Sequence, residues 1–206
     1  MERREMIKKI MRAVVAAAIL WSPPTGEAAK GELTIEEKYE RFKKAGVFQG
    51  YPDGEARLEQ NITRAELAVV MSKLGGMEAG SEIDPHIQFA DLQGHWVSNT
   101  NAVQYLVSNH IMLGKGNNRF DPDGLATIEE VAAVIARLFE LQPSQTTITD
   151  AKISDWAHKY VGAVVDGGLI DPQLDYTAPA TRAFLVDAVY MEYELAPGEA
   201  GQSAQT

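Results

Sequence analysis

Three stretches of the chain are apolar almost all the way round a helix. They are Leu67-Ala-Val-Val-Met71 with Leu74, Val131-Ala-Ala-Val-Ile135 with Leu138 and Phe139, and Phe184-Leu-Val186 with Ala188, Val189 and Met191. Helices of this kind need burial over most of their circumference. Each is preceded by a second helical segment that ends near a glycine–apolar pair, predicted over 36–45, 98–109 and 157–167. Thr63…Glu66 and Thr127…Glu130 open the first two apolar helices as capping boxes. There the threonine oxygen takes the third amide and the glutamate returns to the threonine amide. Thr181 opens the third, but Phe184 stands where the glutamate belongs, so that cap is half made.

This grammar is an internal repeat. Gly50 aligns with Gly114 and Thr63 with Thr127, both at an offset of 64. Gly46 to Thr63 and His110 to Thr127 span 17 residues, whereas Gly168 to Thr181 spans 13, so the third connector is shorter. The pattern predicts an all-α fold of three helix–loop–helix repeats, over 32–76, 88–141 and 148–195. The three apolar helices pack together and the first helices lie outside them. Three independent hairpins are the poorer solution, because a hairpin of this size cannot bury its apolar face alone. Segments 75–88 and 141–147 read as linkers, and the small, polar stretch 196–206 as a disordered tail.

The first 29 residues read as a discarded leader. Arg3, Arg4, Lys8, Lys9 and Arg12 precede a nine-residue apolar run, Ala13 to Trp21, and small residues follow at Gly26 and Ala28. A membrane span needs about 20 apolar residues, so this run fits a signal peptide cut after Ala28 or Ala29. The expected location is therefore outside a bacterial cell, with no stable membrane insertion after cleavage. Composition then changes little except the charge. The 206 residues carry a formal charge of −10, and removing 1–29 leaves 14 basic and 26 acidic side chains, a net of −12. Such a chain is a poor partner for nucleic acid or an anionic membrane. It has no cysteine, which excludes disulfides, thiolate metal sites and a cysteine nucleophile.

Several motifs recur in order: Phe89-Ala-Asp91 with His95-Trp96, Gly50-Tyr51-Pro52-Asp53-Gly54, Phe120-Asp-Pro122, Asp155-Trp156-Ala157, and Ile62-Thr63-Arg64-Ala65-Glu66. Over residues 32–195 the chain resembles the S-layer homology family. The resemblance implies a pseudo-threefold domain around a central three-helix bundle. It implies non-catalytic attachment to secondary cell-wall polysaccharide, often pyruvylated, in grooves between neighbouring repeats, with no cofactor and no metal. Carried over by motif, the polysaccharide-binding residues are Arg64, Glu66, Gly50, Tyr51, Asp53, Trp96, Trp156 and Arg182. The first two repeats depart from the motif. Repeat one lacks the histidine–tryptophan lead, its tryptophan position falling on Thr34, and repeat two has Ile128 in place of the arginine. Repeat three lacks the glutamate and part of the connector.

The residues themselves leave alternatives. Arg64 at the first helical position faces the positive end of the helix dipole, which is unfavourable. With free first-turn amides it would make an anion site; otherwise it is a solvated or ion-paired arginine. Arg182 is read in the same two ways. Trp96 and Trp156 either stack on a sugar ring or close each hairpin as core aromatics, and the core role is the one expected. His95 reads as a capping histidine, and Asp91 and Asp155 as helix caps. Calcium is rejected: an EF-hand frame on Asp123-Gly124 puts Arg119 at the first ligand position. The functional expectation is a secreted wall-binding module, with the Arg64 groove the best candidate of the three. The alternative is a structural, protein-binding surface protein that has lost polysaccharide binding. A wall-glycan hydrolase ranks last, because the acids fall at caps and turns rather than as a spaced pair.

Overall fold

The computed structural model describes residues 33–144, 148–149, 151–172 and 175–195, with side chains up to Tyr190. The proposed leader, 1–29, and the proposed tail, 196–206, lie outside the described residues. The α-helices are α1 (Ile35–Lys44), α2 (Arg64–Leu74), α3 (Ala102–Ser108), α4 (Ile128–Leu138), α5 (His158–Asp166) and α6 (Arg182–Leu195). Short 3₁₀ turns, Ala90–Leu92 and Trp96–Thr100, lead into α3.

Both expected capping boxes are present, at Thr63–Glu66 and Thr127–Glu130. The third is half made as expected, with the Phe184 amide donating to Thr181 Oγ1 at 3.0 Å. A further box, Thr34–Glu37, opens α1. Each first helix stops in the same way. Val47, Ile111 and Leu169 donate back to Phe42, Leu106 and Val164 across a residue in the left-handed region. That residue is Gly46 (φ 71), His110 (φ 56) or Gly168 (φ 69).

The segments just before α2, α4 and α6 meet one another. The Ala126 amide donates to the Ile62 carbonyl (3.0 Å), Ala180 to Ala126 (2.8 Å) and Ile62 to Ala180 (2.9 Å). Three residues thus close a ring of three backbone hydrogen bonds. Antiparallel bridges flank it at Asn61–Thr181, Thr63–Leu125 and Thr127–Pro179. The side chains of Ile62, Ala126 and Ala180 are fully buried beneath the ring.

Packing is out of phase with the sequence repeat. α3 packs on α2, α5 on α4, and α1 on α6, while α2 and α4 pack together. Each first helix therefore lies against the second helix of the preceding repeat, not of its own, and the chain's first helix closes on its last. Lys38 pairs with Asp187 at 2.6 Å, the Arg41 guanidinium donates to the Tyr190 hydroxyl at 2.7 Å, and Phe42 meets the Tyr190 ring edge-on at 5.6 Å. The ring-like closure explains why one repeat by itself has no complete core.

Candidate functional site

Each apolar helix begins in the connector of the next repeat. The first two amides of α2, Arg64 and Ala65, donate to the Gly124 and Pro122 carbonyls at 2.9 Å. Those of α4, Ile128 and Glu129, donate to Ala178 and Tyr176 at 3.0 and 2.8 Å. Those of α6, Arg182 and Ala183, donate to Gln60 and Leu58 at 2.8 Å. The free first-turn amides expected from the sequence are thus taken up by neighbouring carbonyls, and the anion site cannot be built on them.

The arginines follow their amides. Arg64 is 4% exposed. It gives Nε to the Phe120 carbonyl (2.9 Å), Nη2 to the Leu113 carbonyl (2.9 Å) and Nη1 to Glu130 (3.4 Å), with its guanidinium 4.7 Å over the Phe120 ring. Arg182 does the same one repeat on. It gives Nε to Ala56 (2.9 Å), Nη2 to Gln49 (3.0 Å) and Nη1 to Glu66 (3.2 Å), with its guanidinium 4.8 Å over Phe48. Both are staples between repeats, and neither is the solvated arginine that stood as an alternative. Burial of an arginine on this scale requires such complete pairing.

The residues at the mouths of these two places differ. Glu66 accepts the Tyr51 hydroxyl at 2.7 Å as well as Arg182 and the Thr63 amide. Burial, and then the Glu66 carboxylate, hold the Tyr51 hydroxyl above its ordinary pKa. In the next repeat Lys115 occupies the Tyr51 position and pairs with Glu130. Lys115 was not among the sequence candidates, although the offset of 64 that links Gly50 to Gly114 also links Tyr51 to it. Gly50 and Gly114 are required for space: a Cβ on Gly50 would lie 3.0 Å from the Glu55 carbonyl and the Tyr39 hydroxyl, and one on Gly114 2.6 Å from the Phe89 ring.

The third place has neither arginine nor glutamate. Ile128 and Phe184 take their positions. The buried Glu129 carboxylate instead accepts the Ser154 amide (2.9 Å) and hydroxyl (2.7 Å). The charged groups differ among the three places. In the Arg64 groove, Glu130 and Asp121 stand against Arg64 and Lys115, and Lys115 is the half-exposed cation. In the Arg182 groove, Glu66 balances Arg182 and Asp53 balances Arg57. The third carries the Glu129 carboxylate with no arginine.

The tryptophans are not core residues. Trp96 is 50% and Trp156 46% exposed, which overturns the expected core role. Trp96 is tied to the Arg64 groove through its neighbour. His95 Nδ1 accepts the Val97 amide at 3.2 Å, the capping role expected of it, and Nε2 meets Asp123 at 3.1 Å. Asp123 belongs to the turn whose carbonyls receive α2. Trp156 lies elsewhere, its ring 6.5 Å from that of Tyr160. Arg137 sits 4.4 Å over Tyr160 and holds its hydroxyl below the usual pKa.

Asp91 and Asp155 do not cap helices. Asp91 lies inside a 3₁₀ turn, and its two oxygens accept the Phe120 and Asp121 amides at 2.9 and 2.8 Å. Burial alone would raise its pKa, but those amides and nearby Arg119 bring it below the usual carboxylate value. α5 begins at His158 after Ala157 at its N-cap, with no side-chain cap. Among the described residues, no cluster of three histidine, aspartate or glutamate side chains could hold a metal ion, and no helix is long and apolar enough to cross a membrane.

Comparison with known proteins adds to this geometry. The S-layer homology domain model matches residues 88–132. A cellulosome-anchoring protein of Acetivibrio thermocellus is 31% identical over 169 residues, 74% of this chain and 37% of its own length. A surface layer protein of Brevibacillus choshinensis is 24% identical over 150 residues, 68% of this chain and 13% of its own. Endo-1,4-beta-xylanase A of Thermoanaerobacterium saccharolyticum is 22% identical over 163 residues, 77% of this chain and 13% of its own. The chain therefore spans little more than a third of the first relative and about an eighth of the other two.

Proposed function

We propose, from the premise that this chain carries an S-layer homology domain, that it is a non-catalytic module that holds on to acidic cell-wall polysaccharide at the bacterial surface. The names of its relatives support anchoring at the cell surface. The xylanase match covers a small part of that enzyme, 13% of its length. The observation that carries the reading is the Arg64 groove. There the buried Arg64 and the half-exposed Lys115 share Glu130, and the Lys115 ammonium is the cation that stands at the mouth. Trp96, held beside the groove through His95 and Asp123, offers a ring on which a sugar can stack.

The ligand class follows from the exposed ammonium of Lys115. A carboxylate-bearing sugar, such as a pyruvate ketal, pairs with the ammonium of Lys115 while its ring lies on Trp96. Arg64 and Glu130 position the lysine rather than meet the ligand first. The overall charge of −10 opposes approach of an acidic polymer, so recognition is local.

Sedimentation with purified walls tests this. The protein is expected in the wall pellet, with Lys115→Gln and Trp96→Ala each reducing the bound fraction several-fold. Removal of the ketal from the wall polymer should have a similar effect. Protein that stays in the supernatant with and without walls would overturn the reading and leave the protein-binding alternative. Arg64 is the wrong residue for this assay, because its loss destabilises the junction between repeats as well.

A further inference from the structure

The end of α2 opposite Arg64 carries a pocket that wall binding leaves unused. Its cation, Lys73, lies about 14 Å along the helix from Arg64. The pocket holds about 260 Å³ between the end of α2, the linker after it and the turn before α3. Met77 and Ile83 give it apolar lining, and Thr100 and Asn101 a polar edge. The linker is fixed at both ends and in the middle. The Met77 amide donates to the Ser72 carbonyl (2.9 Å), the Glu78 amide to Ser81 Oγ (2.9 Å) and the Asp84 amide to Ser108 Oγ (2.8 Å). Among the described residues, Lys73 has no hydrogen-bond or ion-pair partner. Burial pushes its pKa down, and Glu78, the acid in the lining, is exposed.

The next repeat shows what such a place holds. By the offset of 64, Lys73 corresponds to Arg137, which sits 4.4 Å over the Tyr160 ring and favours the anionic form of its hydroxyl. Tyr160 lies on α5, which packs on α4 as α3 packs on α2. The matched helix stops, Ile111 to Leu106 and Leu169 to Val164, align Tyr160 with Ala102. Repeat two therefore lacks the ring, while the cation that would face it is kept. We propose that the Lys73 pocket binds an aromatic ring bearing a carboxylate, a guest that supplies what Tyr160 supplies one repeat on. A cavity of about 150 Å³ holds benzene, so there is room here for a ring with a short acidic arm. The carboxylate pairs with the Lys73 ammonium and offsets its desolvation, while the ring lies against Met77 and Ile83. The proposal is independent of the glycan reading and uses none of the residues of the grooves.

Isothermal titration of the whole chain tests it with phenylacetate, its neutral amide phenylacetamide, and acetate. Wild type is expected to bind phenylacetate at one site, and the amide and acetate each about tenfold more weakly. Lys73→Met keeps the length of the stem and removes the charge, so it should lose the preference for phenylacetate over the amide. Lys115→Gln should titrate as wild type does, which separates this pocket from the wall-binding groove. A second readout is the Lys73 Cε resonance followed against pH. A neighbouring carboxylate raises the pKa that burial lowers, so the midpoint should rise when phenylacetate is bound. A tripeptide ending in phenylalanine separates two sources of the same chemistry. Tighter binding than phenylacetate assigns the pocket to the chain end of a partner, and weaker binding assigns it to a free aromatic acid. The proposal is overturned if phenylacetate shows no saturable uptake, if the amide binds wild type equally well, or if the Lys73 midpoint does not move. It is also overturned if Lys115→Gln abolishes binding while Lys73→Met leaves it intact.

Discussion

Two of the three junctions between repeats are closed by an arginine and one is not. At the first two, Arg64 meets Glu130 and Arg182 meets Glu66, the arginine from one repeat and the glutamate from the next. At the third, both partners are gone together, replaced by Ile128 and Phe184. The degenerate motif of repeat two and that of repeat three are therefore one change seen from two sides. A buried arginine without its carboxylate, or a carboxylate without its arginine, is costly, whereas apolar residues at both places are tolerated. Glu129 then takes over the task of holding the next repeat, through Ser154.

The strongest way to break this comparison is to remove one half of a staple. Arg64→Ala leaves the Leu113 and Phe120 carbonyls without their donor and Glu130 with Lys115 as its cation, and should cost about 3 kcal/mol in urea denaturation. Arg64→Ile with Glu130→Phe copies the third junction. It should cost less than the sum of its single changes, by about 1–2 kcal/mol of coupling. Strict additivity would show that the two positions are lost independently.

The receiving loop is the next point of attack. Asp91 fixes the Phe120 and Asp121 amides, and so aims the Phe120 carbonyl at Arg64. Asp91→Asn keeps the shape but presents an amide hydrogen to one of those donors, and should cost about 2 kcal/mol near neutral pH. The folded pKa of Asp91 is lowered, so its contribution is complete above the unfolded carboxylate pKa. It is lost as pH falls through the folded value. The stability difference between wild type and Asp91→Asn should therefore shrink on acidification. A difference that stays constant down to acid pH would mean that the amide bonds to Asp91 are not charge-assisted.

The third junction should respond more weakly. Ser154→Ala leaves Glu129 with the Ser154 amide alone and should cost about 1 kcal/mol. Equal losses for Ser154→Ala and Arg64→Ala would erase the distinction between the junctions.

Local rules made much of this legible. The capping boxes, the helix stops and the three repeats are written in residues a few positions apart. The partners of Arg64 were not, because they lie 49 to 66 residues along the chain, in the following repeat. The same distance hid the packing of α3 on α2, since a hairpin reading assigns each first helix to its own repeat. The tryptophans were misjudged because an aromatic beside a helix start carries no mark of which face turns to water. Lys115 could have been found by running the offset of 64 one residue beyond Gly50. Thr34–Glu37 is spelled as a capping box in the sequence as well, at the position where repeats two and three carry tryptophan.

The finest test lies where repeat two breaks a rule that repeats one and three keep. His110 stands at φ 56, where they place Gly46 and Gly168. A β-carbon in the left-handed region costs about 1 kcal/mol, and part of that returns on replacement, because glycine also loosens the unfolded chain. His110→Gly should therefore stabilise the protein by about 0.5 kcal/mol, raising the melting temperature by about 1–2 °C. Gly46→His should destabilise by a similar amount or more. If His110→Gly lowers stability, the histidine ring contributes a contact that repeats one and three lack, and the three helix ends are not equivalent after all.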